Sequence, residues 1–159
     1  NLIPLGFMQK DKDLIPDRFE YSCTRPEDHH LAILAAVEQF AVERAIEQPL
    51  RYRLGVIIDE LIINSILHGG CTGEQQRLAI SISDQETQIL VTLVDSGKPF
   101  DPTAHILTSC PEAGAQVPVG GVGLCLVRRL SDSMKYTRSK DHNELLLALH
   151  KPRSEEVCS

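Results

Sequence analysis

Apolar and polar positions follow two alternating rhythms along this chain. In "RFEYSCT", Arg18 to Thr24, Phe19, Tyr21 and Cys23 alternate with polar neighbours, the period of a half-buried strand. Thr24 followed by Glu27 fits a capping box, which predicts a helix through "DHHLAILAAVEQFAVERAIEQ" with Leu31, Leu34, Val37 and Ala41 on its inward face. Pro49 separates that helix from a second, Arg51 to His68, which Gly69 and Gly70 end. "RLAISIS" and "TQILVTLV" predict two strands joined at Gln85–Glu86 as an antiparallel hairpin. A long irregular stretch, Asp101 to Gly120, carries prolines at 102, 111 and 118, the pattern of a functional lid or a disordered segment. A third helix, "VGLCLVRRLSDS", and two strands, "MKYTRS" and "NELLLALH", close the chain. The order β-α-α-β-β-lid-α-β-β predicts an α+β fold: a two-layer α/β sandwich, mostly antiparallel sheet with helices on one face.

Composition narrows the function classes. At 159 residues with 42% hydrophobic content the chain can bury a core as one domain. Residues 1–16 are expected to be an N-terminal extension or remnant, with Met8 a candidate start, 17–152 the folded domain and 153–159 a tail. A net charge of −6 argues against a broad basic face for nucleic acid. No apolar run reaches the roughly 18 residues that cross a bilayer, and no basic segment precedes an apolar one at the start. A cytoplasmic protein is the expectation. Five scattered cysteines without a CxxC pair read as free thiols in a reducing compartment rather than a zinc site.

Candidate chemistry begins in the second helix. "DELIINSILHGG", Asp59 to Gly70, is nearly all apolar, yet Glu60, Asn64 and His68 recur every four residues and fall on one stripe. Buried without partners, each would cost on the order of a few kcal/mol. They satisfy one another, line a polar cavity, or form a plain solvent face. There is no HExxH, and Glu60 with His68 lacks a third zinc ligand at a telling spacing.

Two glycine motifs follow. "VDSGKPFDP", Val94 to Pro102, ends a strand in Asp95, which can accept from an exocyclic amine, with Gly97 letting a flat ring approach the backbone. An ordinary Asp-Ser-Gly turn is the plainer alternative. "VGGVGLCLVRRL", Val119 to Leu130, places Gly120, Gly121 and Gly123 at the start of an apolar-periodic helix, where free backbone N–H groups suit a phosphate. It is neither a P-loop nor a dinucleotide fingerprint, and a lid hinge would explain the glycines too.

In combination and order, ExxxNxxxHG, DxGxPFDP and GGVGL resemble the N, G1 and G2 boxes of the GHKL, or histidine-kinase-like, ATP-binding superfamily. The short lid and the closing "GLCLVRRLSDSMKYTRSKDHNELLLALHK" are most similar to the anti-sigma-factor serine/threonine kinases. The resemblance runs from about Arg18 to Lys151. It implies ATP and Mg²⁺ as cofactors, with Asn64 the metal ligand and Glu60 the catalytic general base. It implies that Asp95, with Gly97 beside it, reads the adenine amine, that Gly120, Gly121, Gly123 and Leu124 cradle phosphate, and that His68 shapes the pocket. It also implies an anti-anti-sigma (STAS-type) protein substrate, a sigma factor as a further partner, and a homodimer. Lys98–Pro99 departs from the family's G1 box and should stiffen that loop. The absence of a phosphoacceptor domain around His29 and His30 disfavours a sensor histidine kinase, and the absence of a second domain disfavours a topoisomerase- or chaperone-type ATPase. The main rival is a nucleotide-sensing module that controls a protein partner without turnover.

Overall fold

A computed structural model describes residues 16–104 and 121–153. The stretch 105–120, with Gly120 and most of the expected lid, lies outside the described residues, as do 1–15 and 154–159.

The elements are β1 (Arg18–Thr24), α1 (Pro26–Glu43), α2 (Gln48–Leu67), β2 (Arg77–Asp84), β3 (Gln88–Asp95), α3 (Gly121–Leu130), β4 (Ser133–Arg138) and β5 (Asn143–His150). The strands form one five-stranded sheet in the order β1-β2-β3-β5-β4, every pair antiparallel. Because strand side chains alternate faces, Leu78, Ile80 and Ile82, then Ile89, Val91 and Leu93, then Leu145, Leu147 and Leu149 share one side of the sheet. They join Ile33 and Val37 of α1, Leu54, Ile57, Ile58 and Ile62 of α2, and Val127 of α3 in a single core. The fold is the expected sandwich, with its helices on one face of an open sheet.

Three local expectations are corrected. The capping box at Thr24 does not form: the N-cap is Arg25, at φ 52°, without a side-chain cap. Pro26 occupies the first turn, where its fixed φ starts the helix one residue late for the box, and Glu27 Oε1 instead accepts from Gly73 N at 2.9 Å. Pro49 does not lie between helices but in the first turn of α2, for the same reason; the break comes at Ala45, φ 54°. Leu31 is 77% exposed, and the inward face of α1 runs through Ile33, Val37, Phe40 and Ala41. The shift follows from how α1 lies on the sheet, which helical periodicity in "HHLAILAA" does not fix.

At the end of the sheet remote from the motifs, the inward Asp84 carboxylate is held by Arg44 Nε at 2.8 Å and Lys151 Nζ at 2.6 Å. At the other end the inward positions are Asp95 and Asn143, paired directly across β3 and β5. Polar groups at the ends of otherwise apolar rows mark where the core opens.

Candidate functional site

The stripe on α2 is graded rather than uniform. Glu60 is half-buried, Asn64 is 7% exposed, and His68, the helix C-cap, is exposed. The core residues Leu61 and Ile62 anchor the helix between Glu60 and Asn64, so both polar groups point from a fixed backbone. His68 does not enter the cavity. It stacks on Phe100 at 6.3 Å between ring centroids and 23° between planes, at the rim.

The end of α2 is tied to the loop after β3. Cys71 N bonds back to Ser65 O at 3.0 Å, Gly70 takes φ 60°, and Gly69 O is left to accept Lys98 N at 2.8 Å. Gly97 comes so close to this corner that a Cβ there would stand 2.7 Å from Gly69 O and 2.9 Å from Asp95 Oδ1. A side chain is excluded because both obstacles are held in place, one of them by backbone.

Asp95 is 6% exposed and ringed by donors. Gly97 N and Asn143 Nδ2 each donate to Oδ1 at 2.9 Å, and Ser65 Oγ donates to Oδ2 at 2.9 Å. A carboxylate offers about four acceptor positions, so one remains for a ligand. Asp95, Asn64 and Ser65 line one cavity whose other walls include Leu61, Phe100 and Leu124. It is a small, mostly apolar slot on which a few polar groups converge.

The third segment arrives on α3. Gly121 opens the helix and Leu124 is buried against the cavity. Gly123 faces Glu60: a Cβ on it would overlap Glu60 Oε2 and stand 3.0 Å from Cδ. Burial pushes the Glu60 carboxyl above the ordinary glutamate range, and the neighbouring charge of Asp59 adds to the rise. Asp59 itself points toward α1, its Oδ1 2.5 Å from His30 Nε2.

The expected residues are therefore brought together in two sets. Asn64, Asp95 and Leu124 share the cavity with Gly97 behind Asp95, while Glu60 meets Gly123 between α2 and α3. His68 stands outside at the rim, and Gly120 lies outside the described residues. Sequence reasoning missed Ser65, Asn143, Tyr136 and Arg138, which hold Asp95 and its loop. The signal for Asn143 was present: it begins the inward row of "NELLLALH", where Leu145, Leu147 and Leu149 follow at every second position. The cysteine expectation holds for Cys23 and Cys71, which are free, but not for Cys125, which is disulfide-bonded.

The residues present fit a nucleotide with magnesium. The Asn64 carboxamide is buried with its Nδ2 unpartnered, so that donor is unsatisfied unless an acceptor such as a phosphate oxygen reaches it. Among the described residues no cluster of three His, Cys, Asp or Glu could cage a metal. The carboxamide oxygen of Asn64 is a single hard donor, which suits magnesium because that ion keeps phosphate and water oxygens as most of its ligands.

Residues 24–149 match the histidine kinase-like ATPase domain. This chain belongs to that family. Its core, its cavity and all the described candidate residues fall inside the matched span. The chain is 24% identical over 114 residues to the serine/threonine-protein kinase BtrW of Bordetella bronchiseptica, covering 72% of this chain and 80% of BtrW. Among solved structures it is similar to the RsbU and RsbW domains of Rv1364c from Mycobacterium tuberculosis, with TM-score 0.55 and 13% identity. That match covers 84% of this chain and 33% of the other, so this chain spans about a third of that structure. The catalytic domain of the histidine kinase ThkA matches with TM-score 0.50 and 15% identity, over 86% of this chain and 99% of that domain. This histidine kinase-like ATPase domain shares their fold and is an ATP-binding, kinase-like domain by family. No described helix is long and apolar enough to cross a membrane.

Proposed function

We propose that residues 17–152 form an ATP-dependent serine/threonine protein kinase of the anti-sigma-factor type, acting in the cytoplasm on a small STAS-type, anti-anti-sigma-like protein. The observation that carries the reading is the placement of Glu60, a half-buried carboxyl of raised proton affinity, against the glycine turn that opens α3, one helical turn from Asn64. A domain that only held nucleotide would need Asn64 and Asp95 but not a base at that position.

In this reading Asp95 takes the adenine amine in the cavity and Asn64 holds the magnesium. When bound, the metal neutralises phosphate charge. Glu60 accepts the proton of the attacking serine or threonine hydroxyl as its oxygen forms a bond to the γ-phosphorus. The bond from that phosphorus to the bridging oxygen breaks, and ADP leaves with the electron pair. A base with raised affinity for protons is better matched to a hydroxyl than an ordinary surface glutamate. The likeness to the serine/threonine-protein kinase BtrW supports the acceptor class, and the box resemblance supports a STAS-type partner, a sequestered sigma factor and a homodimer.

The test is transfer from γ-labelled ATP to a STAS-type protein by the wild type and by Glu60→Ala. The variant should bind ATP as well as the wild type and transfer at least about 100-fold more slowly. Normal transfer by Glu60→Ala would remove the base assignment. Tight ATP binding by the wild type with no transfer to any STAS-type protein would favour the nucleotide-sensing module instead.

A further inference from the structure

Behind Asp95 lies a chain of hydrogen bonds whose direction is fixed at its far end. Asn143 Nδ2 donates to Asp95 Oδ1 and to Lys98 O, both at 2.9 Å. Its Oδ1 accepts from Tyr136 Oη at 2.6 Å, from Arg138 Nη1 at 3.1 Å and from Phe100 N at 3.4 Å. Arg138 Nη1 has a second proton and gives it to Gly97 O at 2.9 Å.

A carboxamide in a protein can be turned end for end at small steric cost, so its orientation is set by its partners. Here the partners leave no choice. A guanidinium and a backbone N–H can only donate, so they require the oxygen. A backbone carbonyl can only accept, so it requires the nitrogen. The Asn143 amide is pinned from both sides, and its N–H must point at Asp95. With Gly97 N and Ser65 Oγ also donating, the carboxylate is surrounded by protons and can serve only as an acceptor. Turning the amide over would set its oxygen against Asp95 Oδ1 and leave the Arg138 donor facing an NH₂ group.

We infer that Arg138 and Asn143 are specificity-determining positioning residues: by fixing the polarity of Asp95 they restrict the cavity to bases that present an amino donor and exclude those that present a carbonyl. A 6-aminopurine satisfies the free acceptor position on Asp95. A 6-oxopurine would place two acceptors against each other in a buried site. Arg138 also clamps the Gly97 carbonyl, so the loop against which a ring would lie is tied to the same guanidinium. The inference rests on the reading that this cavity takes the base of a nucleotide, and it adds the residues that choose which base.

The experiment is calorimetric titration of the full chain with ATP, with inosine triphosphate (6-oxo) and with purine riboside triphosphate (6-H), on the wild type, Arg138→Met and Asn143→Leu. The wild type should bind ATP at least about 100-fold more tightly than the 6-oxo analogue, with the 6-H analogue between them. Each variant should narrow the ATP to 6-oxo ratio by about tenfold while changing binding of the 6-H analogue much less, a pattern that general loosening of the cavity would not give. Arg138 is half-buried at the sheet edge, so Arg138→Met tests the polarity even where Asn143→Leu does not fold. An unchanged ratio in folded Arg138→Met, or near-equal binding of ATP and the 6-oxo analogue by the wild type, overturns the inference while leaving the nucleotide site standing. Failure of the wild type to bind any of the three overturns the nucleotide reading itself.

Discussion

Gly123, in the first turn of α3, lacks a side chain at the place where one would meet the carboxyl of Glu60 on α2. Two helices from distant parts of the chain thus depend on a single missing methyl group for the position of the proposed base. The obstacle is the far end of a flexible side chain rather than backbone, so the contact constrains where Glu60 points more than how firmly the helices pack.

Gly123→Ala should therefore separate catalysis from stability. Alanine is favoured over glycine in a helix by about 1 kcal/mol, so the melting temperature should hold or rise. Displacement of Glu60 should slow phosphoryl transfer about tenfold or more with ATP affinity little changed. Thermal unfolding together with a transfer assay reads both. A variant that transfers at the wild-type rate would show that the Glu60 position does not matter.

Gly97→Ala should behave in the opposite way. The new methyl would press on Gly69 O, a backbone atom, and on the fixed Asp95 carboxylate. Overpacking of this kind costs about 1–3 kcal/mol. Denaturant unfolding should show that loss, and nucleotide titration should show binding weakened at least about tenfold.

Asn64→Ala removes the buried carboxamide that has an unpartnered nitrogen. The variant should fold with near wild-type stability, because no hydrogen bond of that nitrogen is lost. ATP binding should lose its dependence on magnesium, read by titration with the metal and with a chelator. Retained metal dependence would place the cation elsewhere.

The raised proton affinity of Glu60 carries a stability consequence with a definite sign. A carboxyl whose folded-state pKa lies above its unfolded value favours the folded chain while protonated, and that contribution is lost as pH rises through the folded pKa. At pH above the unfolded value, the raised folded-state pKa means that desolvation of Glu60 opposes folding. Glu60→Gln should therefore raise the melting temperature at pH 7. The gain should disappear below about pH 4, where the unfolded glutamate is protonated as well. Equal melting temperatures for wild type and variant across pH 4–8 would contradict the burial of this group.

Much of this site was legible in the chain itself. Glu60 and Asn64 stood out because polar groups at a four-residue interval interrupt a run of Leu and Ile. Asp95 and the glycines at 97, 121 and 123 stood out because they end or begin periodic segments. Strands β1 and β5 were read at their observed bounds, since period-2 alternation is a local property of the pleat. The first helix was read less well: Pro26 reset its start, and its buried face turned away from Leu31 because that rotation answers to the sheet beneath it.

Sequence alone determined which residue types occur at which spacing, and hence the element order, the apolar rows and the three motifs, because periodicity and turn chemistry act between near neighbours. Tertiary structure alone decided what those motifs meet. The antiparallel pairing of β3 with β5 set Asn143 opposite Asp95, and the packing of α3 on α2 set Gly123 against Glu60. The partners in these contacts lie dozens of positions apart along the chain. Hydrogen-bond direction and van der Waals exclusion act only over a few ångströms of space, and it is the fold that converts such distances in sequence into contact.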